Sequence, residues 1–140
     1  MVNKDIIKTK LNSIRDNLVN VKSILITPDE TLKTDNIKRS ALERYFQLIV
    51  DAAVGINEHI ISEENLEVPN DYFGTFLILG NVEILPKDFA VKIAPSVGLR
   101  NQIVHQYEKV NADVMLDSIR NNISQYDDYI AFIAKHYQLK

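Results

Sequence analysis

The chain has 140 residues, 46% hydrophobic and 25% charged, with a net charge of −3 and no cysteine. That length suits one domain whose core needs no staples, and the missing cysteines exclude disulfides and thiolate chemistry and fit a reducing compartment. No apolar run approaches the roughly 20 residues that span a bilayer, Met1 to Lys10 hold no signal-peptide core, and no net positive field draws the molecule to nucleic acid; a cytoplasmic protein is expected, and any RNA binding must rest on a local patch.

Ile7, Leu11, Ile14, Leu18, Val21 and Leu25 recur in steps of four and three, which makes one apolar stripe on a helix. Pro28 marks its end, and so long a seam suits a hairpin or a bundle. A second helix is expected from Asp35 or Asn36, either of which can cap it. Its apolar face runs Ala41, Leu42, Tyr45, Leu48, Ile49, Ala52, Ile56 and Ile60, and Gly55 weakens it only modestly. Glu63-Glu64-Asn65 end the pattern, and Pro69-Asn70-Asp71 is turn chemistry. A short helix follows over Asp71 to Leu79, with Gly80-Asn81 as its stop. Pro86 sits at the first turn of another, which reaches Ile93.

Pro95 opens a helix to about Tyr107. Asn111 caps the last one, from about Ala112 to Tyr137, with a face of Val114 or Met115, Ile119, Ile123, Tyr126, Ile130 and Ile133. No strand, repeat or low-complexity segment is legible. The pattern predicts an all-α chain, a single domain over 1–140 built as an antiparallel bundle of about five helices, three of them long.

Chemistry concentrates on the helix that carries Arg100 and His105. Arginine presents a charged planar fork suited to phosphate oxygens, and histidine moves protons near neutral pH. Such a pair, without metal ligands, is what cleavage of RNA by its own 2′-hydroxyl requires. A base takes that proton, an acid protonates the leaving 5′-oxygen, and a cation stabilises the charge on phosphorus. Spacing complicates the idea. At about 100° per residue, Arg100 and His105 lie about 140° apart around a helix, whereas Arg100 and Tyr107 share nearly one face. Either the helix ends near His105, or two copies combine their groups across a dimer. On residue types alone a plainer reading stands beside this one, with Arg100 as a capping or salt-bridging residue and His105 as a satisfied, partly buried imidazole.

The remaining polar features read as structural. His59 lies beside the apolar run of its helix, and His136 sits at a helix C-terminus, where a cation complements the dipole. The histidines never fall at a ligand spacing such as H-E-x-x-H, so no metal site is expected. Neither a glycine-rich phosphate loop nor a nucleophile elbow is present. Glu63-Glu64 and Asp127-Asp128 read as solvated faces, and Tyr126, Tyr129 and Tyr137 as packing rather than base-stacking residues.

The run Arg100-x-x-x-x-His105-x-Tyr107 sits in the context Val97-Gly98-Leu99-Arg100-Asn101-Gln102-Ile103-Val104-His105-Gln106-Tyr107. It resembles the R-x-x-x-x-H-x-Y signature of HepT-like toxins, within the HEPN superfamily of helical ribonucleases. The stretch from Arg39 to Ala53 is similar to that family's second helix, and Asp71-Tyr72-Phe73 and the Pro86 helix fall in the family's order. The resemblance implies a HEPN-like bundle acting as a homodimeric, metal-independent ribonuclease toxin of a type VII toxin–antitoxin system. It implies no cofactor, RNA as substrate, and a MntA-like nucleotidyltransferase antitoxin that attaches AMP to the motif tyrosine.

Carried over by position, the resemblance makes Arg100 and His105 catalytic, Asn101 a supporting polar residue and Tyr107 the AMP acceptor. Lys87, Lys92, Arg100 and Lys109, with Arg39 and Arg44, are the local cations that so acidic a nuclease needs. One alternative is a non-catalytic helical partner of a nucleotidyltransferase, in which Arg100 and Tyr107 contact the partner or a nucleotide and His105 is structural. Another is a plain dimerisation bundle with the motif buried and inert.

Overall fold

The computed structural model describes residues 1–105 and 111–139. Every regular element among them is a helix: α1 (Lys4–Leu25), α2 (Asp29–Leu32), α3 (Asn36–Glu63), α4 (Tyr72–Asn81), α5 (Lys87–Ile93), α6 (Ser96–His105) and α7 (Ala112–His136). The three long helices expected from the apolar stripes are α1, α3 and α7. No helix among the described residues is long and apolar enough to cross a membrane.

Local chemistry sets the helix starts. Asn3, Asp35, Asp71 and Asn111 each accept a hydrogen bond from a first-turn amide of α1, α3, α4 and α7, which satisfies donors that no helix can satisfy internally. Asp35 is therefore the cap of α3, and Asn36 is already helical. Pro28 opens rather than closes an element, because α1 has ended at Leu25 and the one-turn α2 begins directly after the proline. Helix α4 ends at Asn81, where Gly80-Asn81 were expected to stop it, but the glycine itself serves another purpose. It lies buried inside the last turn of α4, where α5 crosses so closely that a Cβ would stand 2.5 Å from Ala90 Cβ. Glycine is needed there for approach, not for termination.

The α1 stripe buries Ile7, Leu11, Ile14, Leu18 and Val21 against α3 and α7. Each such side chain contributes roughly 1.5–3 kcal/mol by leaving water. On α7 the choice between neighbours resolves in favour of Met115, which is 4% exposed, while Val114 is 58% exposed. Polar contacts fix the directions. At one end the Asn3 N–H donates to His59 Nε2, and at the other Lys38 reaches Thr27, so α1 and α3 are antiparallel. Lys33 pairs with Asp113, and the Tyr137 hydroxyl donates to Glu64, so α7 runs alongside α3 in the same direction. The shorter α4, α5 and α6 pack beside this frame, α4 and α6 against α3, and α5 against α7 through Phe89 and Phe132.

Two buried polar ties position the short helices. The Tyr129 hydroxyl donates to Asn57 Oδ1 at 2.6 Å; Asn57 Nδ2 donates to Thr75 Oγ1, whose hydroxyl donates to the Tyr72 carbonyl at 2.6 Å. This relay links α7, α3 and the first turn of α4. Ser96 Oγ and the Tyr126 hydroxyl share a hydrogen bond of 2.6 Å, which pins the first residue of α6 to α7. Burial pushes the Tyr126 phenol well above its ordinary range; the bond to Ser96 works against that shift and the nearby Asp51 charge adds to it. All three tyrosines singled out as packing residues are indeed buried, and each hydroxyl has a partner.

Removing one partner of the Ser96–Tyr126 bond leaves the other hydroxyl buried and unpaired. Tyr126→Phe and Ser96→Ala should each lower stability by about 1–3 kcal/mol, and the double variant should cost less than their sum. Urea unfolding of the full mutant cycle measures this, and strictly additive losses would show that the two hydroxyls do not act as a unit.

Candidate active site

Helix α6 turns Ser96, Val97, Leu99 and Ile103 into the core and leaves Gly98, Asn101, Gln102 and His105 on its solvent stripe. Arg100 falls between the two faces, and its side chain is only 16% exposed. A guanidinium so far out of water needs a partner. Asp51 of α3 supplies it, accepting from Arg100 Nε at 2.7 Å. Charge-assisted contacts of this length are the strong class of hydrogen bond. Arg100 Nη1 donates to Asn101 Oδ1 at 3.1 Å, and the Tyr72 ring at the start of α4 lies 5.6 Å from the guanidinium carbon, a cation–π distance. Three helices thus converge on one cation, and its Nη2 finds no acceptor among the described residues.

Asn101 also bears on the spacing problem. It follows Arg100 by one position and precedes His105 by four, so it lies about 100° from the first and about 40° from the second around the helix. Its amide therefore stands between the pinned guanidinium and the exposed face that carries His105. Asp71, Tyr72, Phe73, Val97, Gly98 and Asn101 line an open groove of about 510 Å³ beside them.

Other expectations sort by position. Tyr107 and Lys109 lie outside the described residues, as does the stretch between His105 and Tyr107 over which this helix was expected to run. Lys87, Lys92 and Arg44 are exposed. Arg39 donates to the Lys33 carbonyl and to Asn36 Oδ1, which ties it to the start of α3. His59 accepts a backbone amide, and the exposed His136 packs edge-on against Tyr137, so both take structural or surface positions as read. Among the described residues no three His, Cys, Asp or Glu side chains converge as a metal would need.

Two site residues escaped the sequence reading. Asp51 carried a usable signal, a carboxylate between Val50 and Ala52 inside an otherwise apolar run of α3. Tyr72 carried none, since only the docking of α4 brings its ring to Arg100.

The architecture is shared with a class of toxins. The tri-AMPylated Shewanella oneidensis HEPN toxin in complex with MNT antitoxin matches with a TM-score of 0.86 at 21% identity, over 94% of this chain and 98% of that chain. A cytosolic protein of unknown function, YutE from Bacillus subtilis, matches with a TM-score of 0.83 at 17% identity, over 96% and 90%. These likenesses are of fold, and sequence carries the family. The model of the family described as Ribonuclease HepT-like matches residues 14–133, and the chain belongs to that family. The tRNA nuclease HepT of Aphanizomenon flos-aquae is 35% identical over 126 residues, 89% of this chain and 85% of the relative. The mRNA nuclease HepT of Shewanella oneidensis is 22% identical over 129 residues, 92% and 96%.

Asp51→Ala strips a mostly buried guanidinium of its anion and should destabilise the protein by about 1–2 kcal/mol, between the values for exposed and buried pairs. The Arg100 Nε–H resonance should also lose its protection from solvent exchange. An unchanged Nε–H signal would mean that the pair does not hold in solution.

Proposed function

We propose that this chain is the toxin of a toxin–antitoxin pair, a metal-independent ribonuclease whose catalytic groups are Arg100 and His105. The observation that carries the reading is the guanidinium of Arg100, pinned at Nε by Asp51 and at Nη1 by Asn101 on the helix that also bears an exposed His105. Membership of a ribonuclease family supports it, as do the relatives described as tRNA and mRNA nucleases.

The chemistry follows from what these groups can do. An imidazole removes the proton of the 2′-hydroxyl, the 2′-oxygen attacks phosphorus, and the bond to the 5′-oxygen breaks. Imidazolium returns a proton to that leaving oxygen, so the products are a 2′,3′-cyclic phosphate and a free 5′-hydroxyl. Arg100, already oriented, holds the non-bridging oxygens and stabilises the charge that develops on them, without reorganising at the moment of reaction. Asp51 and Tyr72 position the guanidinium, and Asn101 keeps an amide between it and the His105 face. A homodimer brings two such sets to one cleft, and the partner's imidazole can then supply the second proton-transfer group that the helical offset between Arg100 and His105 calls for.

Control by an antitoxin completes the reading. A MntA-type nucleotidyltransferase would transfer AMP from ATP to the Tyr107 hydroxyl with release of pyrophosphate. A solved relative is itself a tri-AMPylated HEPN toxin in complex with MNT antitoxin. Tyr107 follows Arg100 by seven positions, so on a continuing helix the two share a face. The new phosphodiester charge would pair with Arg100 and fill the place of the substrate phosphate.

His105→Ala and Arg100→Ala should each abolish cleavage of bulk tRNA or total RNA and relieve growth arrest, with helicity unchanged. The double variant should be no worse than either single if the groups act together. Cleavage should survive EDTA. Activity retained by His105→Ala, or lost on chelation, would overturn the mechanism.

For Tyr107, mass spectrometry after incubation with the nucleotidyltransferase and ATP should find AMP on the wild type and not on Tyr107→Phe, which should stay toxic beside the antitoxin. Full AMP addition to the Phe variant would place the acceptor elsewhere.

A further inference from the structure

Helix α4 opens with two adjacent aromatic residues that folding leaves in water. Tyr72 is 42% exposed and Phe73 is 38% exposed, while Phe76 and Leu79 further along the same helix are fully buried. Both rings border the groove whose other wall is α6 at Val97, Gly98 and Asn101. At about 510 Å³ the groove is on the scale of ligand clefts, about 300–1,000 Å³.

Gly98 adds an independent observation. Glycine inside a helix weakens it relative to alanine, so its presence asks for a reason. The backbone supplies none, because no glycine in the described residues has a positive φ. Packing among the described residues supplies none either, because there a Cβ built on Gly98 meets nothing within 4 Å. What the glycine does provide is a bare stretch of helix surface facing two exposed rings, about one turn before Asn101, which lines the same groove and bonds to Arg100. Among the described residues nothing packs on that flat floor, and a planar ligand can.

We infer that this groove is a nucleobase subsite of the ribonuclease. It takes the base next to the phosphate held by Arg100, stacked on Phe73 above the open surface at Gly98. The inference rests on the ribonuclease reading. Tyr72 is engaged with Arg100, which leaves Phe73 as the platform for the neighbouring base. Asn101 stands at the boundary, since it bonds to Arg100 and also lines the groove. Asp71 on the far wall carries negative charge, so the groove repels a second phosphate and favours an uncharged base. Every base has a π-face, so this mode suits unpaired, splayed-out RNA of varied sequence.

Fluorescence anisotropy with a short single-stranded RNA tests the inference. Its riboses are 2′-O-methylated, which removes the attacking hydroxyl while keeping the bases. Phe73→Ala should weaken binding about tenfold, the loss typical of one stacked base, and Phe73→Trp should restore it. Gly98→Leu should fill the groove and weaken binding similarly, while melting no lower than wild type, since its Cβ has room. Light scattering of each variant separates base binding from contact between copies.

Unchanged affinity in Phe73→Ala and Gly98→Leu overturns the subsite, as does weaker binding that merely follows a loss of dimer. His105-dependent cleavage by the wild type alongside unaffected groove variants removes the subsite alone. A wild-type chain that neither binds nor cleaves RNA removes the ribonuclease reading and the subsite together.

Discussion

A guanidinium drawn most of the way out of water sets the terms for this fold. Arg100 cannot lose its charge, so burying it is tolerable only if a carboxylate and further acceptors meet it in fixed geometry. Asp51 does so from α3, Asn101 from the next position on α6, and the Tyr72 ring from α4. Each of those partners is useful only where its helix is locked in place, and the buried polar ties of the core do that locking. The Tyr129–Asn57–Thr75 relay ends on the Tyr72 carbonyl, and the Ser96–Tyr126 bond holds the start of α6. Such bonds are directional and costly to break when buried, so they fix helix register more sharply than apolar packing alone.

On the proposed mechanism the same arrangement is what catalysis needs. A cation held by the protein before substrate arrives stabilises developing charge without first having to be ordered. Asp51 lowers the freedom of the guanidinium, and among the described residues neither Asp51 nor Asn101 takes up Nη2. The helical offset between Arg100 and His105 then becomes informative. A proton-transfer group and a phosphate clamp need not point the same way if two protomers share a cleft, and Asn101 narrows the gap within one.

Much of the architecture was legible because it is local. The α1 stripe from Ile7 to Val21 buries as its period predicts, and Asp35 and Asn111 cap the helices they precede. Where a tertiary contact sets a residue's purpose, position alone does not reveal it. Gly80-Asn81 do end α4, but the glycine is buried under Ala90, and only the crossing of α5 explains why it is a glycine. The site divides in the same way. Arg100, Asn101 and His105 were readable as a short run on one helix. Asp51 and Tyr72 come from 49 and 28 positions earlier in the chain, distances over which spacing carries no periodic signal.

On the proposed mechanism the Arg100 helix cleaves RNA through the 2′-hydroxyl of the substrate itself. The most direct test is the chemistry of the ends that the purified protein leaves in the presence of a chelator, read by mass spectrometry of the fragments. Attack by the neighbouring ribose should leave 2′,3′-cyclic phosphates paired with free 5′-hydroxyls. Fragments ending in a 3′-hydroxyl and a 5′-phosphate would mean that water, not the neighbouring ribose, attacks phosphorus, and would contradict that mechanism.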